Sequence, residues 1–325
     1  MKNVGIIGVG RHLPAKRLTN FDLEKIVDTT DEWIVTRTGI RERRVADINE
    51  KTSDLAIGAA KKALKSAKLS ASKVELIIVA TISPDSNFPS VACLVQKNIG
   101  AKNATAFDIS AACSGFLYAL STAKQYIQTG LYKNALVIAA EKITSLVNWE
   151  DRATCVLFGD GAGACVLAQV KRGGIISDYM HSNGQCGHLM QVITENKRHP
   201  LGEPCATMKI PHMVMQGQEL FKVAVNSMAG AVEAAAKKAK VKLSQINCVV
   251  PHQANDRIIS AVAKKLKIPK EKIYINIDRY GNMSAASIAV ALSEAVDEGR
   301  IKKGDIVALV TFGAGLVTAA NIVKW

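Results

Sequence analysis

Cys113 is the residue of this sequence best suited to covalent chemistry. It lies in Ser-Ala-Ala-Cys-Ser-Gly, directly after an apolar run and directly before a helical pattern that begins with Phe116. A thiol at the N-terminus of a helix feels the positive end of the helix dipole, which favours the thiolate. Small neighbouring residues leave space for a substrate. Free cysteines are more often small buried hydrophobic residues, so the prediction of a nucleophile needs partner groups.

Two polar residues in the second half of the chain stand where such partners would be expected. His252 follows the apolar run 246–250, and Asn282 stands in Gly-Asn-Met-Ser after the run 273–277. Taken singly, a His at a strand end is more often structural, and an Asn before a helix is more often an N-cap. Their occurrence together with Cys113 favours a thiol nucleophile assisted by an imidazole and an amide.

The elements that must position these residues alternate along the chain. Short β-branched apolar runs predict strands at 4–9, 75–80, 104–109, 135–140, 164–168, 246–250, 273–277 and 306–312. Amphipathic or apolar patterns predict helices at 53–67, 113–129, 216–240, 255–267 and 284–298. This alternation predicts an α/β fold of βαβ units with mainly parallel sheets.

The two halves of the sequence resemble each other. Phe107-Asp108 lies shortly before Cys113, and Ile277-Asp278 occurs about 170 residues later in a similar context. We therefore expect a duplicated fold with two units, 1–171 and 172–325. The first would carry Cys113, and the second would carry His252 and Asn282. In this correspondence Asn282 lies one position from the counterpart of Cys113, so pseudo-symmetry would place the two side chains opposite each other.

Composition excludes several classes of protein. The 325 residues are 48% hydrophobic and 22% charged, which argues against a disordered tail or a small disulfide-stapled domain. The formal net charge of +14 predicts an anionic partner, but nucleic acid fits poorly because no recognised nucleic-acid module is present.

The seven cysteines, an odd number without zinc-site spacing, predict neither a disulfide framework nor a bound metal. We read Cys93, Cys155, Cys165 and Cys248 as packing residues and leave Cys186 and Cys205 unassigned. The N-terminus reads as a strand instead of a signal peptide, and no apolar run reaches the length of a membrane span. We therefore expect a cytoplasmic protein without membrane association.

Three glycine-rich or irregular segments have other readings. Gly8-Val-Gly10 is followed by Leu13 and Pro14, which argues against a dinucleotide site. The glycines of 159–163 run into a strand, so close backbone packing is their expected role. The irregular stretch 182–212 is expected to be a surface excursion or a loop in a pocket wall.

Taken together, the motifs resemble those of the β-ketoacyl-acyl-carrier-protein synthase III family of thiolase-fold condensing enzymes. The matching segments follow in order at 31–43, 107–115, 158–163, 251–255, 281–287 and 312–315. The resemblance implies a five-layered αβαβα fold with two pseudo-symmetric halves and a homodimer. It also implies that acyl-CoA is a substrate and that no cofactor is tightly bound.

The resemblance implies a role for each residue of the reaction site. Cys113 would carry the acyl group, and His252 and Asn282 would hydrogen-bond an enolate formed when malonyl-acyl carrier protein loses carbon dioxide. The backbone N–H groups of Cys113 and Ala314 would hold the oxyanion. The family usually has Gly at the latter position, and Ala keeps the N–H but disfavours a positive φ.

Residues for binding also follow from the resemblance. Trp33 would stack on the CoA adenine with Arg37 and Arg152 nearby, and Phe88 would close the acyl pocket of the partner subunit. In the helix 255–267 we expect an inward stripe of Ile258, Val262 and Leu266. The opposite side, with Arg257, Lys264 and Lys265, would dock the acidic carrier protein together with Lys222 from the segment Phe221-Lys-Val.

The implied activity is condensation of a short acyl-CoA primer, expected to be acetyl-CoA, with malonyl-acyl carrier protein to start fatty acid biosynthesis. Three alternatives stay open. The first is a same-fold starter synthase or acyltransferase of a secondary-metabolite pathway. The second is a thiol hydrolase that uses Cys113 and His252, and the third is a non-catalytic acyl-binding protein.

Overall fold

The structure is a computed structural model that describes residues 2–193 and 212–325. The described strands are β1 (Val4–His12), β2 (Lys16–Thr19), β3 (Glu42–Val45), β4 (Leu76–Ala80), β5 (Thr105–Ile109), β6 (Asn134–Lys142), β7 (Asp160–Gln169), β8 (Gly174–Ser182), β9 (Met190–Ile193), β10 (His212–Met215), β11 (Cys248–Pro251), β12 (Ile306–Gly313) and β13 (Val317–Lys324). The described α-helices are α1 (Asn20–Leu23), α2 (Asp31–Thr38), α3 (Thr52–Ala67), α4 (Val91–Ile99), α5 (Gly115–Thr129), α6 (Arg152–Cys155), α7 (Gly217–Ala239), α8 (Asp256–Leu266), α9 (Ile277–Tyr280) and α10 (Ala285–Asp297).

Two mixed sheets form the frame, with strand orders β1-β7-β6-β4-β5 and β11-β12-β13-β8. β4 runs parallel to β5 and β6, and β11 runs parallel to β12, whereas the other neighbours in these two sheets are antiparallel. The prediction of mainly parallel sheets is therefore wrong. One reason is the short link between β12 and β13, since parallel neighbours need a crossover of a dozen or more residues.

The five helices predicted from the sequence all form, each within two residues of its expected ends. α3 packs on the outer face of the first sheet, α5 and α10 lie between the sheets, and α7 covers the second sheet. Buried apolar residues fill the spaces between these layers. This is the expected five-layered αβαβα arrangement. The division between 1–171 and 172–325 falls between β7 and β8 and stays a prediction.

One predicted strand, 273–277, does not form. Only Ile273 makes a parallel bridge to Val249, and the chain then turns into α9. The Gln253 side chain forms hydrogen bonds of the kind that a neighbouring strand would form. Its Nε2 donates to the carbonyl of Tyr274 at 3.2 Å, and its Oε1 accepts from the N–H of Asn276 at 3.0 Å. Asn282 consequently follows a short helix and not a strand.

The free thiols differ from the prediction at one position. Cys155, Cys165 and Cys248 are buried as expected, but Cys93 is exposed. Cys93 lies on α4, whose inward residues are Val91, Ala92 and Val95, so its side chain faces outward. Cys186 is half-buried, and Cys205 lies outside the described residues.

The predicted glycine contacts agree with close packing. A Cβ at Gly8 would lie 2.4 Å from the backbone N of Ala67, and one at Gly163 would lie 2.5 Å from the backbone C of Ala289. Both distances are too short for any side chain, so these glycines allow α3 and α10 to approach the first sheet. Across the residues that the structure describes, no helix is both long and apolar enough to cross a bilayer.

Candidate active site

Cys113 lies in a 3₁₀ turn, Ala112–Ser114, between β5 and α5. The residue before it, Ala112, has a φ of +44°, a left-handed conformation that costs a non-glycine residue about 1–2 kcal/mol. This turn presents the thiol at the N-terminus of α5 with 4% of Cys113 exposed. A strained backbone is retained where the surrounding structure holds it in place, and such positions cluster at functional sites.

The backbone around Cys113 is tightly enclosed by small residues. A Cβ at Gly313 would lie 2.7 Å from the backbone N of Cys113, and a Cβ at Gly115 would lie 3.0 Å from the Cβ of Ala80. The absence of a side chain at Gly313 lets the end of β12 lie directly against the Cys113 N–H, and Gly115 lets the start of α5 lie against the end of β4. The contact at Gly313 brings the loop that contains Ala314 next to the nucleophile.

His252 follows the last residue of β11. Its backbone N–H donates to the carbonyl of Val310 at 2.8 Å, which fixes it to β12. The imidazole is buried and meets the ring of Phe312 edge-to-face, with centroids 6.1 Å apart. In the described part of the chain its Nδ1 has no hydrogen-bond partner, and no carboxylate orients the ring.

Two backbone hydrogen bonds fix the position of Asn282. Its N–H donates to Leu157 O at 2.8 Å, and its carbonyl accepts from Gly159 N at 3.1 Å. The side-chain Oδ1 accepts from the N–H of Ser284 at 2.8 Å. Because the acceptor oxygen is occupied within the turn, the NH₂ group is the part of the amide available to a substrate.

Cys113, His252 and Asn282 line one cavity of about 130 Å³. The rest of its wall is predominantly apolar and includes Leu157, Phe158, Met190, Met215, Leu220, Phe221, Ile258 and Phe312. The structure thus brings together three residues that are far apart in the sequence. A small, apolar cavity with three convergent polar groups is the usual form of a small-molecule site.

Burial keeps both titratable residues of the cavity neutral. It raises the pKa of the Cys113 thiol to about 12, an effect that the Glu141 carboxylate reinforces. Burial also lowers the pKa of His252 to about 3. Burial and the helix dipole therefore act on the Cys113 thiol in opposite directions, and a thiol with a raised pKa must lose its proton during the reaction.

The predicted CoA residues lie together. Trp33 is half-buried on α2, and the guanidinium carbons of Arg37 and Arg152 lie 5.0 and 4.8 Å from the centre of its ring. Asn255, which lines the cavity, donates to the carbonyl of Arg37 at 3.0 Å. This hydrogen bond ties the aromatic and cationic cluster to the mouth of the cavity.

Two of the four predicted carrier-docking residues, Lys222 and Arg257, line a groove that adjoins the cavity. On α8, Ile258, Val262 and Leu266 are buried, which confirms the inward stripe, and the basic residues Arg257, Lys264 and Lys265 are exposed. A surface groove of about 500 Å³ is lined by Lys222 and Arg257 and shares Phe221 and Asn255 with the cavity. An extended ligand in this groove would reach toward Cys113.

Two predicted residues are not brought to the cavity of their own subunit. Phe88 is 84% exposed and does not line it, so its role as a gate for a partner subunit stays a prediction. Ala314 is adjacent to the lining residue Gly313 but is not itself in the wall. Its φ is not positive, because the left-handed position of this loop is taken by Gly315 at +133°, and Ala is accommodated there.

Sequence reasoning missed two buried polar residues next to Cys113. Ser284 is 1% exposed, and Glu141 at the end of β6 is fully buried. Met190 and Met215, on the paired strands β9 and β10, also line the cavity. Of the two, only Met190 belongs to the stretch 182–212, of which 194–211 lie outside the described residues. Glu141 could have been recognised in the sequence as a carboxylate near the end of an otherwise apolar strand.

Within residues 2–193 and 212–325, no group of three or more His, Cys, Asp or Glu side chains could hold a metal ion. The polar groups that converge on the cavity are the Cys113 thiol, the His252 imidazole and the Asn282 amide.

Comparison with known proteins identifies the family to which these features correspond. Residues 107–184 match the family described as 3-Oxoacyl-[acyl-carrier-protein (ACP)] synthase III, and residues 236–325 match its C-terminal counterpart. A beta-ketoacyl-[acyl-carrier-protein] synthase III of Caldanaerobacter subterraneus subsp. tengcongensis is 52% identical over 99% of this chain and 97% of its own. A protein of the same name from Clostridioides difficile is 53% identical over 99% and 98%.

Solved structures show the same fold. The 3-oxoacyl-[acyl-carrier-protein] synthase III of Aquifex aeolicus VF5 superimposes with a TM-score of 0.92 at 50% identity, covering 99% of this chain and 100% of its own. The priming beta-ketosynthase of the R1128 polyketide biosynthetic pathway gives the same TM-score, 0.92, at 31% identity, covering 99% and 96%.

Proposed function

Because the chain belongs to the 3-oxoacyl-acyl-carrier-protein synthase III family of condensing enzymes, we propose that it condenses a short acyl-CoA with malonyl-acyl carrier protein. The observation that supports this most strongly is the convergence of Cys113, His252 and Asn282 on one buried cavity. The product would be 3-oxoacyl-acyl carrier protein, and the step would initiate fatty acid synthesis.

In the first half-reaction the Cys113 sulfur attacks the thioester carbon of the acyl-CoA. The S–H bond of Cys113 breaks, a new thioester forms on the enzyme, and CoA leaves with a proton as the free thiol. The negative charge on the carbonyl oxygen during attack is stabilised by backbone N–H groups, for which Cys113 and Ala314 are the candidates.

In the second half-reaction the malonyl group loses carbon dioxide, and the electrons of the broken C–C bond become the enolate of the carrier thioester. A neutral His252 and the amide NH₂ of Asn282 donate hydrogen bonds to the enolate oxygen. The low pKa of His252 supports this role, because a neutral imidazole carries one N–H donor across the physiological range. The enolate carbon then attacks the acyl carbonyl carbon, the bond from that carbon to the Cys113 sulfur breaks, and the released thiolate takes up a proton from water.

The binding groups outside the cavity complete the proposal. Trp33, Arg37 and Arg152 would bind the adenine and phosphates of CoA, and Lys222, Arg257, Lys264 and Lys265 would attract the acidic carrier protein. We further propose a homodimer in which Phe88 closes the acyl pocket of the partner subunit. A cavity of about 130 Å³ suits a primer of a few carbons, with acetyl-CoA as the first candidate.

A second candidate is a starter synthase of a polyketide-type pathway, which the likeness to the R1128 priming ketosynthase favours. It would use the same half-reactions with a different primer or carrier. A thiol hydrolase is less well supported, since no carboxylate among the described residues orients His252 as in hydrolytic triads.

Intact-mass analysis with a panel of acyl-CoAs, followed by malonyl-acyl carrier protein, tests the proposal. We expect one acyl group on Cys113 and then equal amounts of carbon dioxide and 3-oxoacyl product. Cys113→Ala should lose acyl transfer, whereas Cys93→Ala, which removes an exposed thiol, should behave as wild type. Full condensation by Cys113→Ala would contradict the mechanism, and preference for another primer would favour the starter synthase.

A further inference from the structure

Glu141 is a fully buried carboxyl group that the proposed reaction does not use. Its Oε2 accepts three hydrogen bonds, from Ser83 Oγ at 2.6 Å, Thr81 Oγ1 at 3.1 Å and the Ile82 N–H at 3.1 Å. Its Oε1 has no hydrogen-bond partner among the described residues. A buried carboxylate oxygen without a partner is costly, and such a group calls for a functional explanation.

Ser284 lies between this carboxyl group and the nucleophile. Gly115, two residues after Cys113, packs against the segments of both groups: a Cβ at Gly115 would lie 3.0 Å from the Cβ of Ala80, beside the Thr81 that bonds Glu141, and 3.5 Å from the Cβ of Ala285, beside Ser284. The Ser284 side chain also lowers the pKa of both the Cys113 thiol and Glu141. Among the described residues the buried Ser284 hydroxyl has no hydrogen-bond partner, so it is available to either group. The backbone of Ser284 is held at a φ of +49°, and Asn282 Oδ1 accepts its N–H.

We propose that Glu141 takes up the Cys113 proton through the Ser284 hydroxyl when the enzyme is acylated, an inference that rests on the proposed function. The thiol proton passes to Ser284 Oγ while the hydroxyl proton passes to Glu141 Oε1. The sulfur forms its bond to the thioester carbon, and the bond from that carbon to the CoA sulfur breaks. The proton returns by the same route to the departing CoA thiolate, so Glu141 is again an anion.

The electrostatics of the cavity support this assignment. His252, with a pKa of about 3, is a weak base for a thiol whose pKa is about 12. Burial raises the pKa of Glu141 to about 7, which suits a group that must both accept and return a proton near neutral pH. The titratable group that faces Glu141 is the Cys113 thiol, and no ion pair to Glu141 occurs in the parts of the chain described. Glu141 acts through Ser284 and is therefore a positioning residue.

Glu141→Gln and Ser284→Ala test the relay through the single-turnover rate of Cys113 acylation between pH 5.5 and 9. In the wild type we expect the rate to fall below about pH 7, where Glu141 is protonated. Glu141→Gln should lower the rate at pH 7.5 about 100-fold. In this variant the acylation rate should no longer show an inflection near pH 7. It should instead rise about tenfold per pH unit across the range. The double variant should lose no more than either single variant, because both interrupt one route.

Glu294→Gln is a control for the loss of a buried carboxylate, since Glu294 is bonded by Asn276, Tyr280 and Arg279 and does not line the cavity. Asp160→Asn is the matched control without an ion pair among the described residues, since Asp160 is bonded by Thr144 and the Ala46 N–H. The rate at which iodoacetamide alkylates Cys113 measures how readily the thiol loses its proton, and this assay needs no acyl-CoA. The exposed Cys93 serves as the internal reference. If no acyl-CoA acylates the wild type, the proposed function fails, while alkylation still tests the relay.

Glu141→Gln within threefold of wild type, with the inflection intact, would overturn the relay. If Glu294→Gln lowers the acylation rate as much as Glu141→Gln does, the relay is overturned as well. If Glu141→Gln does not fold, as judged by circular dichroism, the pH profile of Ser284→Ala decides the question.

Discussion

The cavity around Cys113 contains neutral polar groups, whereas the surface around its mouth carries exposed cations. In the cavity, burial keeps the thiol protonated and His252 neutral, and hydrogen-bond donors supply the polarity. At the mouth, Arg37, Arg152 and Arg257 are exposed cations that remain in contact with water. The interior is therefore built for stabilising charge that appears during a reaction, and the surface is built for attracting anions that are already charged.

This difference has a kinetic consequence. Groups in the cavity act on charge in the transition state, so their loss should lower kcat by large factors. Groups at the mouth act on screened charges or exposed rings, so their loss should change KM by small factors. Variants in the cavity and at its mouth should therefore differ in which kinetic constant they change.

Asn282→Asp should produce the largest effect. The substitution keeps an oxygen for the Ser284 N–H but removes the NH₂ donor that the enolate needs. We expect kcat for condensation to fall about 100-fold or more, with acylation of Cys113 within threefold of wild type. Rapid quench for acylation and product assay for condensation separate the two steps. Asn98→Asp on the surface of α4 is the control, and a kcat for Asn282→Asp within fivefold of wild type would contradict the enolate role.

The burial of His252 should appear as sensitivity to acid. Its pKa is about 3 in the folded protein and 6.5 when unfolded. Between these values the unfolded chain binds a proton that the native protein does not, so stability falls as pH falls below about 6.5. From pH 7 to pH 5 this amounts to about 2 kcal/mol.

Urea unfolding at the two pH values measures this loss. His252→Gln should lose about 2 kcal/mol less than wild type on acidification, whereas His181→Gln, at an exposed position, should lose as much as wild type. Equal losses in all three proteins would show that His252 is solvated in solution.

Arg257→Glu tests the role of the basic surface at the mouth of the cavity. Reversing one exposed charge beside the groove should raise KM for malonyl-acyl carrier protein about tenfold at low ionic strength and leave kcat within twofold. The effect should shrink at 0.5 M salt because the Debye length falls to a few ångströms. Lys61→Glu, an exposed reversal on α3, should leave KM unchanged. A loss confined to kcat would place Arg257 inside the chemistry instead.

Trp33→Ala should give the smallest effect. Removing the ring on which Arg37 and Arg152 lie should raise KM for acyl-CoA about fivefold. An acyl thioester of N-acetylcysteamine, which lacks the nucleotide, should show no change between wild type and variant. An equal change with both substrates would show that Trp33 supports the fold instead of binding the nucleotide.

Much of the architecture could be predicted from the sequence because it depends on local patterns. The five long helices follow from apolar residues at helical spacing, and Cys113, His252 and Asn282 could be singled out because each stands at the end of an apolar run. The antiparallel pairings could not be predicted in this way, since strand direction depends on which strands become neighbours. The failed strand at 273–277 shows the same limit: the Gln253 side chain, distant in sequence, takes the hydrogen bonds of a neighbouring strand.

Residue type and short-range order suffice to say which residues carry reactive groups, how the helices are spaced and that the protein is basic, because none of these depends on which distant segments meet. The tertiary structure decided the protonation states of those groups. Desolvation arises from everything packed around a side chain, and it raises the pKa of the Cys113 thiol against the effect of the helix dipole. The same packing brings Glu141 and Ser284 behind that thiol, a relation between three separate segments that no local pattern contains.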